Sequence, residues 1–127
     1  MNIDHIAIWT MNLEAMREFY IRYFKGECNE KYINPIKQFE SYFINFEGGA
    51  KLELMRRQST CKPLDNEERL GLTHIAFKTG SKEAVLTLTE TLRADGYQIV
   101  AEPRTTGDGY FESVILDVDG NRIELLA

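Results

Sequence analysis

The sequence predicts an α+β fold built from two tandem βαβββ modules. An internal repeat is the first observation: IDHIAI at residues 3–8 recurs as LTHIAF at residues 72–77. Further along, GAKLEL at residues 49–54 recurs as GNRIEL at residues 120–125. The second observation is that strand and helix patterns follow in the same order in both halves. The two offsets, 69 and 71 residues, are nearly equal, which indicates one supersecondary unit that occurs twice.

The first half begins with an alternating, Ile-rich segment at residues 3–9, which predicts a strand. Asn12 is then expected to cap a helix, and Gly26 to end it with a positive φ. The apolar stripe of this helix falls at helical spacing, at Leu13, Met16, Phe19, Tyr20 and Tyr23. Three strands are expected next, at roughly 28–33, 39–46 and 51–56, with a turn at Gly48-Gly49 between the last two.

The second half repeats this order with a strand at residues 72–79. Ser81 is the expected helix cap, and Gly96 is expected to end the helix. The apolar stripe of this helix comprises Val85, Leu88 and Leu92. Three strands follow at roughly 97–102, 110–117 and 122–126, with a turn at Asp119-Gly120 between the last pair.

Length and composition indicate one domain. The chain has 127 residues, of which 43% are hydrophobic and 28% charged. We expect module 1 at about 1–56, a linker at about 57–70 and module 2 at about 71–127. The net charge of −5 argues against binding to nucleic acid or to an anionic membrane. Because no signal peptide or spanning segment is evident and the cysteines form no motif, we expect a cytoplasmic protein with reduced thiols.

Four side chains at repeat-equivalent positions form a candidate metal site: His5, Glu53, His74 and Glu124. A carboxylate that faces a packed sheet is costly unless it is paired, protonated or bound to a metal. The two histidines are the only ones in the chain, and both occupy the equivalent strand position. Imidazole and carboxylate donors without thiolate suit Ni²⁺, Co²⁺ or Zn²⁺, with Fe²⁺ and Mn²⁺ as further options. The alternatives are hydrogen-bonded core histidines and solvent-facing glutamates.

The motifs that carry these residues resemble the vicinal oxygen chelate superfamily, which includes glyoxalase I, bleomycin-resistance proteins and extradiol dioxygenases. DHIA at 4–7 and THIA at 73–76 begin the two halves, and DVDGNRIEL at 117–125 is similar to the family's D-P-D-G-N-x-I-E-L signature. Val118 stands where that signature has proline. The resemblance implies a U-shaped mixed sheet around one divalent ion. It also implies a homodimer, as in bacterial glyoxalase I, where both chains commonly supply ligands to each site.

The order His, Glu, His, Glu is most similar to bacterial glyoxalase I. The resemblance therefore implies a lactoylglutathione lyase-like metalloenzyme, which moves a proton through a metal-stabilised enediolate of a small oxygen-bearing substrate. It implies that Glu124 is the catalytic base, that Glu53 is its counterpart on the other side, and that His5 and His74 are ligands only.

Three residues are candidates for contact with the substrate. Trp9 stands where glyoxalase I usually has an arginine, and Arg57 where it usually has an asparagine, so both departures argue against glutathione. Trp9 is either a wall for an apolar substrate or a packing residue at a strand end. Arg57 and Arg104 either clamp a carboxylate or phosphate or are solvated surface charges.

Two other functional classes fit the same sequence. One is a metal-free protein that binds a drug or metabolite, like the bleomycin-resistance proteins. The other is a non-haem iron dioxygenase, for which Glu53 would stay outside a coordination sphere of two histidines and one carboxylate. A domain that keeps the metal for stability alone is also compatible with these residues.

Overall fold

A computed structural model describes residues 3–61, 72–107 and 109–127. The chain divides into two units, Met1–Asp65 and Asn66–Ala127. Each unit contains one helix and one mixed sheet, which confirms the predicted α+β class and the two βαβββ modules. Much of the linker that the sequence predicts lies outside the described residues.

The first unit forms a sheet in the order β1-β5-β4-β2, with β3 paired to β4 beside this path. Its elements are β1 (His5–Trp9), α1 (Leu13–Phe24), β2 (Glu27–Cys28), β3 (Tyr32–Asn34), β4 (Phe39–Asn45) and β5 (Lys51–Arg57). β1 runs parallel to β5, and β4 runs antiparallel to β5. A parallel neighbour requires a crossover connection, and α1 begins it.

The single strand that we expected at residues 28–33 was wrong, because two short strands, β2 and β3, occupy this region. The Asn29 side chain accepts a hydrogen bond from the Phe43 N–H at 2.8 Å, and the Asn29 N–H donates to the Phe43 carbonyl at 3.2 Å. The side chain thus takes over a ladder position of β4, and the regular pairing is interrupted between the two strands.

The second unit forms a sheet in the order β6-β9-β8-β7. Its elements are β6 (His74–Lys78), α2 (Lys82–Ala94), β7 (Ile99–Thr105), β8 (Phe111–Leu116) and β9 (Arg122–Leu126). β6 is parallel to β9, as β1 is to β5 in the first unit. The repeat in the sequence therefore corresponds to a repeat in strand pairing. Neither helix of the described part of the chain is long and apolar enough to cross a membrane.

Each helix covers one face of its own sheet with apolar side chains. In the first unit, the five predicted stripe residues of α1 are buried together with Ile44, Leu52 and Leu54 of the sheet. In the second unit, Val85 and Leu92 are fully buried, whereas the predicted Leu88 is half-buried. Burial of such side chains contributes roughly 1.5–3 kcal/mol each. The helix of each unit does not cover the opposite face of its sheet.

Thr89 is buried in α2 although its hydroxyl is polar. The hydroxyl donates to the Val85 carbonyl at 2.7 Å and lies 2.7 Å from the buried Ser113 hydroxyl. Both polar groups are thereby satisfied inside the core, which removes most of the desolvation cost.

The two predicted helix caps differ in outcome. The Ser81 side chain accepts a hydrogen bond from the Ala84 N–H at 3.1 Å, which confirms it as the cap of α2. Asn12 is the cap residue of α1 as predicted, and its carbonyl accepts a hydrogen bond from the Met16 N–H at 2.9 Å, but its side chain makes no capping hydrogen bond. The buried Thr10 hydroxyl instead accepts a hydrogen bond from the Asn12 N–H at 2.8 Å. This contact fixes the chain just before α1 begins.

The prediction of a positive φ at Gly26 was also wrong, because the left-handed residue at the end of α1 is Lys25, with φ 55°. Gly26 is required for a different reason. A Cβ atom at this position would lie 2.3 Å from Ile44 Cγ2 and 3.2 Å from the Tyr20 carbonyl oxygen. The chain leaving α1 therefore passes directly over β4. In α2, by contrast, Gly96 has the expected positive φ of 89°.

Gly26→Ala is expected to lower the free energy of unfolding by about 1–3 kcal/mol, because the added methyl overpacks the contact with Ile44. Gly48→Ala is the matched control, since a Cβ atom there meets nothing within 4 Å and Gly48 has no positive φ. Chemical denaturation of both variants measures the difference. Equal stability of the two variants would show that β4 can move away from Gly26 at no cost.

A polar cluster connects α1 to Tyr42 of β4 and to Lys31, which lies between β2 and β3. The Tyr42 hydroxyl donates to the Glu14 carboxylate at 3.1 Å, and Lys31 forms an ion pair with the same carboxylate. The Lys31 ammonium and the Arg17 guanidinium lie over the Tyr42 ring, at 5.5 and 5.3 Å from its centre. The hydrogen bond from Lys31 holds the pKa of Glu14 below its usual value of 4.5.

Because its folded pKa is lowered, Glu14 stabilises the fold above about pH 4.5, and this contribution is lost as the pH falls through the folded pKa. Glu14→Gln should therefore lower the free energy of unfolding at pH 7 by about 0.5–1 kcal/mol, a value discounted for the solvent exposure of Glu14. Urea denaturation should show the difference vanishing at acid pH. Glu47→Gln, an exposed change of the same kind, should have no such pH-dependent effect.

Candidate functional site

The first unit brings His5 and Glu53 together on the sheet face opposite α1. The parallel register pairs His5 with Lys51 and Ala7 with Glu53, so His5 and Glu53 are diagonal neighbours on one face. His5 Nε2 lies 3.9 Å from Glu53 Oε2. Ala7 lies directly beside Glu53 on this face, and its side chain is only a methyl group, which leaves room for the imidazole to lean toward the carboxylate. The side chains are 41% and 15% exposed, respectively.

The second unit contains the same arrangement. β6 and β9 pair His74 with Arg122 and Ala76 with Glu124. His74 Nε2 lies 3.3 Å from Glu124 Oε2, and the side chains are 41% and 20% exposed. The two halves therefore each carry a histidine and a glutamate at the same register positions with nearly the same exposure.

Asp4 orients the imidazole of His5. Asp4 Oδ2 and His5 Nδ1 are 2.9 Å apart, and Lys51 Nζ lies 3.4 Å from Asp4 Oδ1. The hydrogen bond from His5, and next that from Lys51, keeps the pKa of Asp4 below its usual value of 3.8. A histidine whose Nδ1–H donates to a carboxylate presents the lone pair of Nε2 on its other side. Thr73 occupies the position before His74 in the second unit.

Phe43, which no sequence motif singles out, lies opposite Glu53 across the pair β4–β5. Its ring contacts the His5 ring edge-on, with 5.5 Å between the ring centres, and the Lys51 ammonium lies 5.7 Å from its centre. The sequence offered no signal for this contact, because a two-residue turn at Gly48-Gly49 would place residue 43 opposite residue 54, whereas the hairpin pairs Phe43 with Glu53.

The chemistry of these donors fits a divalent cation. Within each unit, one imidazole nitrogen and one carboxylate oxygen lie close together on a partly exposed sheet face, and both donor types bind Ni²⁺, Co²⁺ and Zn²⁺. Within neither unit do three or more His, Cys, Asp or Glu side chains of the described residues gather at ion-binding distances. One unit by itself thus supplies two ligands, whereas a zinc site usually needs at least three from the protein.

Trp9 and Arg57 contact each other at the end of the same face. The Arg57 guanidinium carbon lies 5.2 Å from the centre of the Trp9 ring and 5.6 Å from that of Phe39. Trp9 and Phe39 meet edge-on at 6.1 Å. Arg57 follows Glu53 by four positions in β5, and because side chains alternate between faces, the two lie on the same side of the sheet. Trp9 is 48% exposed, so its ring is accessible.

Arg104, the third candidate for substrate contact, lies in β7 opposite Glu112 of β8. Its Nη2 lies 3.4 Å from Glu112 Oε1. Val114 pairs with Glu124 in the neighbouring ladder, so Glu112 and Arg104 lie on the Glu124 face. Arg104 is therefore on the ligand-bearing side of the sheet, with a carboxylate partner.

Comparisons with known proteins agree with this fold. The family model described as the glyoxalase/bleomycin resistance protein/dioxygenase superfamily matches residues 2–125. The uncharacterized protein YqjT of Bacillus subtilis (strain 168) is 29% identical over an alignment of 131 positions, which covers 98% of this chain and 98% of its own. A glyoxalase family protein from Enterococcus faecalis has a TM-score of 0.81 at 26% identity, over 99% of this chain and 97% of its own.

The trypanothione-dependent glyoxalase I of Leishmania major has a similar fold, with a TM-score of 0.78 at 22% identity, over 99% of this chain and 86% of its own. At this identity the likeness concerns the fold alone. The family match, in contrast, spans nearly the whole chain and includes both His–Glu pairs. The protein therefore belongs to the glyoxalase/bleomycin resistance protein/dioxygenase superfamily.

Proposed function

We propose that the protein is a glyoxalase I-like metalloenzyme, a lyase or isomerase that moves a proton between adjacent carbons of a small oxygen-bearing substrate. His5, Glu53, His74 and Glu124 would hold one divalent cation, with Ni²⁺, Co²⁺ and Zn²⁺ as first candidates and Fe²⁺ and Mn²⁺ as others. The observation that carries the proposal is the repeated His–Glu pair, with nitrogen–oxygen distances of 3.9 and 3.3 Å. Two such pairs complete the set of four ligands that one pair cannot supply.

The neighbours of the two carboxylates support a role in proton transfer. Ala7 and Phe43 flank Glu53 in the sheet, and Ala76 and Val114 flank Glu124. None of the four flanking side chains has a hydrogen-bonding group, so the carboxylate oxygens remain directed at the histidines and at any bound ligand.

A bound cation would act as a Lewis acid that favours negative charge on the substrate oxygens. Glu124 would take the proton from one carbon and return it to the adjacent carbon, as a general base and then a general acid. Glu53 would face the other side of the substrate. His5 would be held in orientation, because Asp4 accepts the hydrogen bond of its second nitrogen.

Three side chains would contact the remainder of the substrate. The exposed Trp9 ring offers a flat wall to an apolar group. Arg57 offers a fixed guanidinium for an acidic group. Arg104 would contribute only by sharing its guanidinium between Glu112 and the substrate. We further propose a cytoplasmic homodimer that acts on small molecules and on neither nucleic acid nor membranes, which agrees with the net charge of −5.

The first test is the metal content per chain of protein purified without chelator, and again after stripping and reloading with Ni²⁺, Co²⁺, Zn²⁺, Mn²⁺ or anaerobic Fe²⁺. We expect about one ion per site. His5→Gln and His74→Gln should each lose most of the bound metal, because each removes one of four ligands. The control Asn121→Gln, outside the proposed ligand set, should retain it.

Absence of retained metal under every loading condition would contradict the enzyme proposal. A metal-free binding protein of the bleomycin-resistance type would then explain the exposed Trp9 and Arg57 better. Retention of Fe²⁺ that survives Glu53→Gln would instead favour a dioxygenase, because that site needs only two histidines and one carboxylate.

Glu124→Gln should lower turnover by about 10²–10⁴-fold, the usual contribution of general acid–base catalysis. The assay uses hemithioacetals of methylglyoxal with several thiols, at saturating metal so that weaker metal binding does not mimic loss of the base. Substrate affinity should change little, because Gln keeps the shape of the side chain. The exposed change Glu47→Gln is the control, and full activity of Glu124→Gln would eliminate this residue as the base.

A further inference from the structure

A pocket of about 280 Å³ opens at one end of the sheet in the first unit. Its lining comprises Lys37, Gln38, Arg57, Gln58 and Ser59. Two of these side chains are cationic, two are amides and one is a hydroxyl, and none is a carboxylate. The two cations of this lining contrast with the net charge of −5 of the chain. It offers hydrogen-bond donors and positive charge to whatever enters.

The pocket lies where β4 begins and β5 ends, and hydrogen bonds fix the loops on both sides. The Asn34 side chain accepts from the Lys37 N–H at 3.0 Å, and Gln38 adopts a left-handed φ of 47°. On the other side, the Thr60 hydroxyl accepts from the Arg57 N–H at 2.9 Å, and the Thr60 N–H donates to the Arg57 carbonyl at 3.0 Å. The walls are therefore held in place before a ligand binds, which lowers the entropic cost of binding.

Arg57 is held by rings rather than by a carboxylate. Its guanidinium lies over Trp9 and Phe39, and a stacked guanidinium keeps its N–H edge available for a planar acceptor. The adjacent Arg56 differs, because it points to the other side of the strand and pairs with Glu40 at 4.0 Å. In the described part of the chain, no carboxylate lies within ion-pair distance of Arg57 or Lys37.

We propose that this pocket binds the acidic group, a carboxylate or a phosphate, of an elongated ligand whose apolar body lies on Trp9 and Phe39. Arg57 and Lys37 supply the charge, and the amides and the hydroxyl complete the hydrogen bonds to the oxygens. A carboxylate and a phosphate would bind these groups in the same way, so the experiment below distinguishes which of the two acidic groups the pocket prefers.

The pocket also specifies the class of substrate, a step that rests on the proposed function. Arg57 follows Glu53 by four residues on the same strand face, a separation of about 13 Å along the strand. A substrate that reaches both carries its acidic group at about this distance from the carbons that exchange a proton. Between them lies the aromatic surface of Trp9, so the middle of the substrate is apolar.

The test uses Trp9, the only tryptophan of the chain, as the reporter. We titrate the whole protein with 3-phenylpropanoate, phenyl phosphate and the neutral 3-phenylpropanamide, and measure Kd by Trp fluorescence and by calorimetry. At least one anion is expected to bind about tenfold more tightly than the amide, the factor typical of one charged hydrogen bond. The tighter anion identifies the source as carboxylate or phosphate. Equal binding of all three probes, or no binding of either anion, overturns the proposal.

Three variants locate the binding site. Arg57→Gln and Lys37→Gln are each expected to weaken anion binding about tenfold and leave the amide unchanged. Arg56→Gln is the matched control, because it removes the same charge one residue away and should change Kd less than about twofold. Among the described residues no ring lies under the Lys37 ammonium, so its variant tests the pocket even where the loss of Arg57 perturbs the fold. Equal effects of Arg56→Gln and Arg57→Gln would reduce the result to general charge and contradict the pocket.

The same titration separates this inference from the proposed function. Anion binding should persist in chelator-treated protein and in Glu124→Gln, because neither change touches the pocket. A protein that binds no metal but binds the anion through Arg57 and Lys37 would refute the enzyme and retain the pocket. A protein that binds metal and turns over a hemithioacetal, but shows no anion preference, would retain the enzyme and refute the pocket.

Discussion

The register of the parallel strand pairs is the constraint on which the site depends. Parallel strands need a crossover, and the helix that begins each crossover packs on one face of the sheet. Side chains alternate between faces, so a slip of one residue would turn Glu53 toward α1, among Leu52, Leu54 and the apolar stripe of the helix. Burial of an unpaired carboxylate there would cost several kcal/mol. The apolar core thus fixes the register, and the register fixes which histidine meets which glutamate.

The two halves share this device but differ around it. His5 has Asp4 and Lys51 behind it, whereas the position before His74 is Thr73. The repeated segments therefore keep the His–Glu pairs, whereas the residue that precedes each histidine differs between the units. This division is expected if a duplicated module keeps its ligand chemistry while its surroundings change to select a substrate.

Element type and order were predictable from the sequence because periodicity and turn residues are local signals, and the repeat supplied each signal twice. Local signals failed where a distant residue decides. Gly26 is required because Ile44, which is distant in the sequence, packs against it. The expected strand is divided because the Phe43 N–H donates to the Asn29 side chain. That the four ligands meet around one ion stays a prediction, because it depends on how the two units are arranged and not on either unit alone. The roles of Trp9 and Arg57 remain proposals for a similar reason, since no motif specifies a ligand for an aromatic–guanidinium contact.

The face of β5 that carries Glu53, a proposed metal ligand, also carries Arg57, the proposed contact for the acidic group of the substrate. A strand offers its side chains to one face every second residue, about 6.6 Å apart, so a ligand that lies along β5 touches a carboxylate at one end and a guanidinium at the other. Membership of the superfamily bears on the carboxylate end, where both units hold the same pair. It does not determine the other end, where Trp9 and Arg57 replace the residues usual in glyoxalase I. In our proposal the choice of substrate therefore depends on Trp9 and Arg57, which lie outside the repeated segments, and their cation–aromatic contact would suit an acidic ligand with an apolar body.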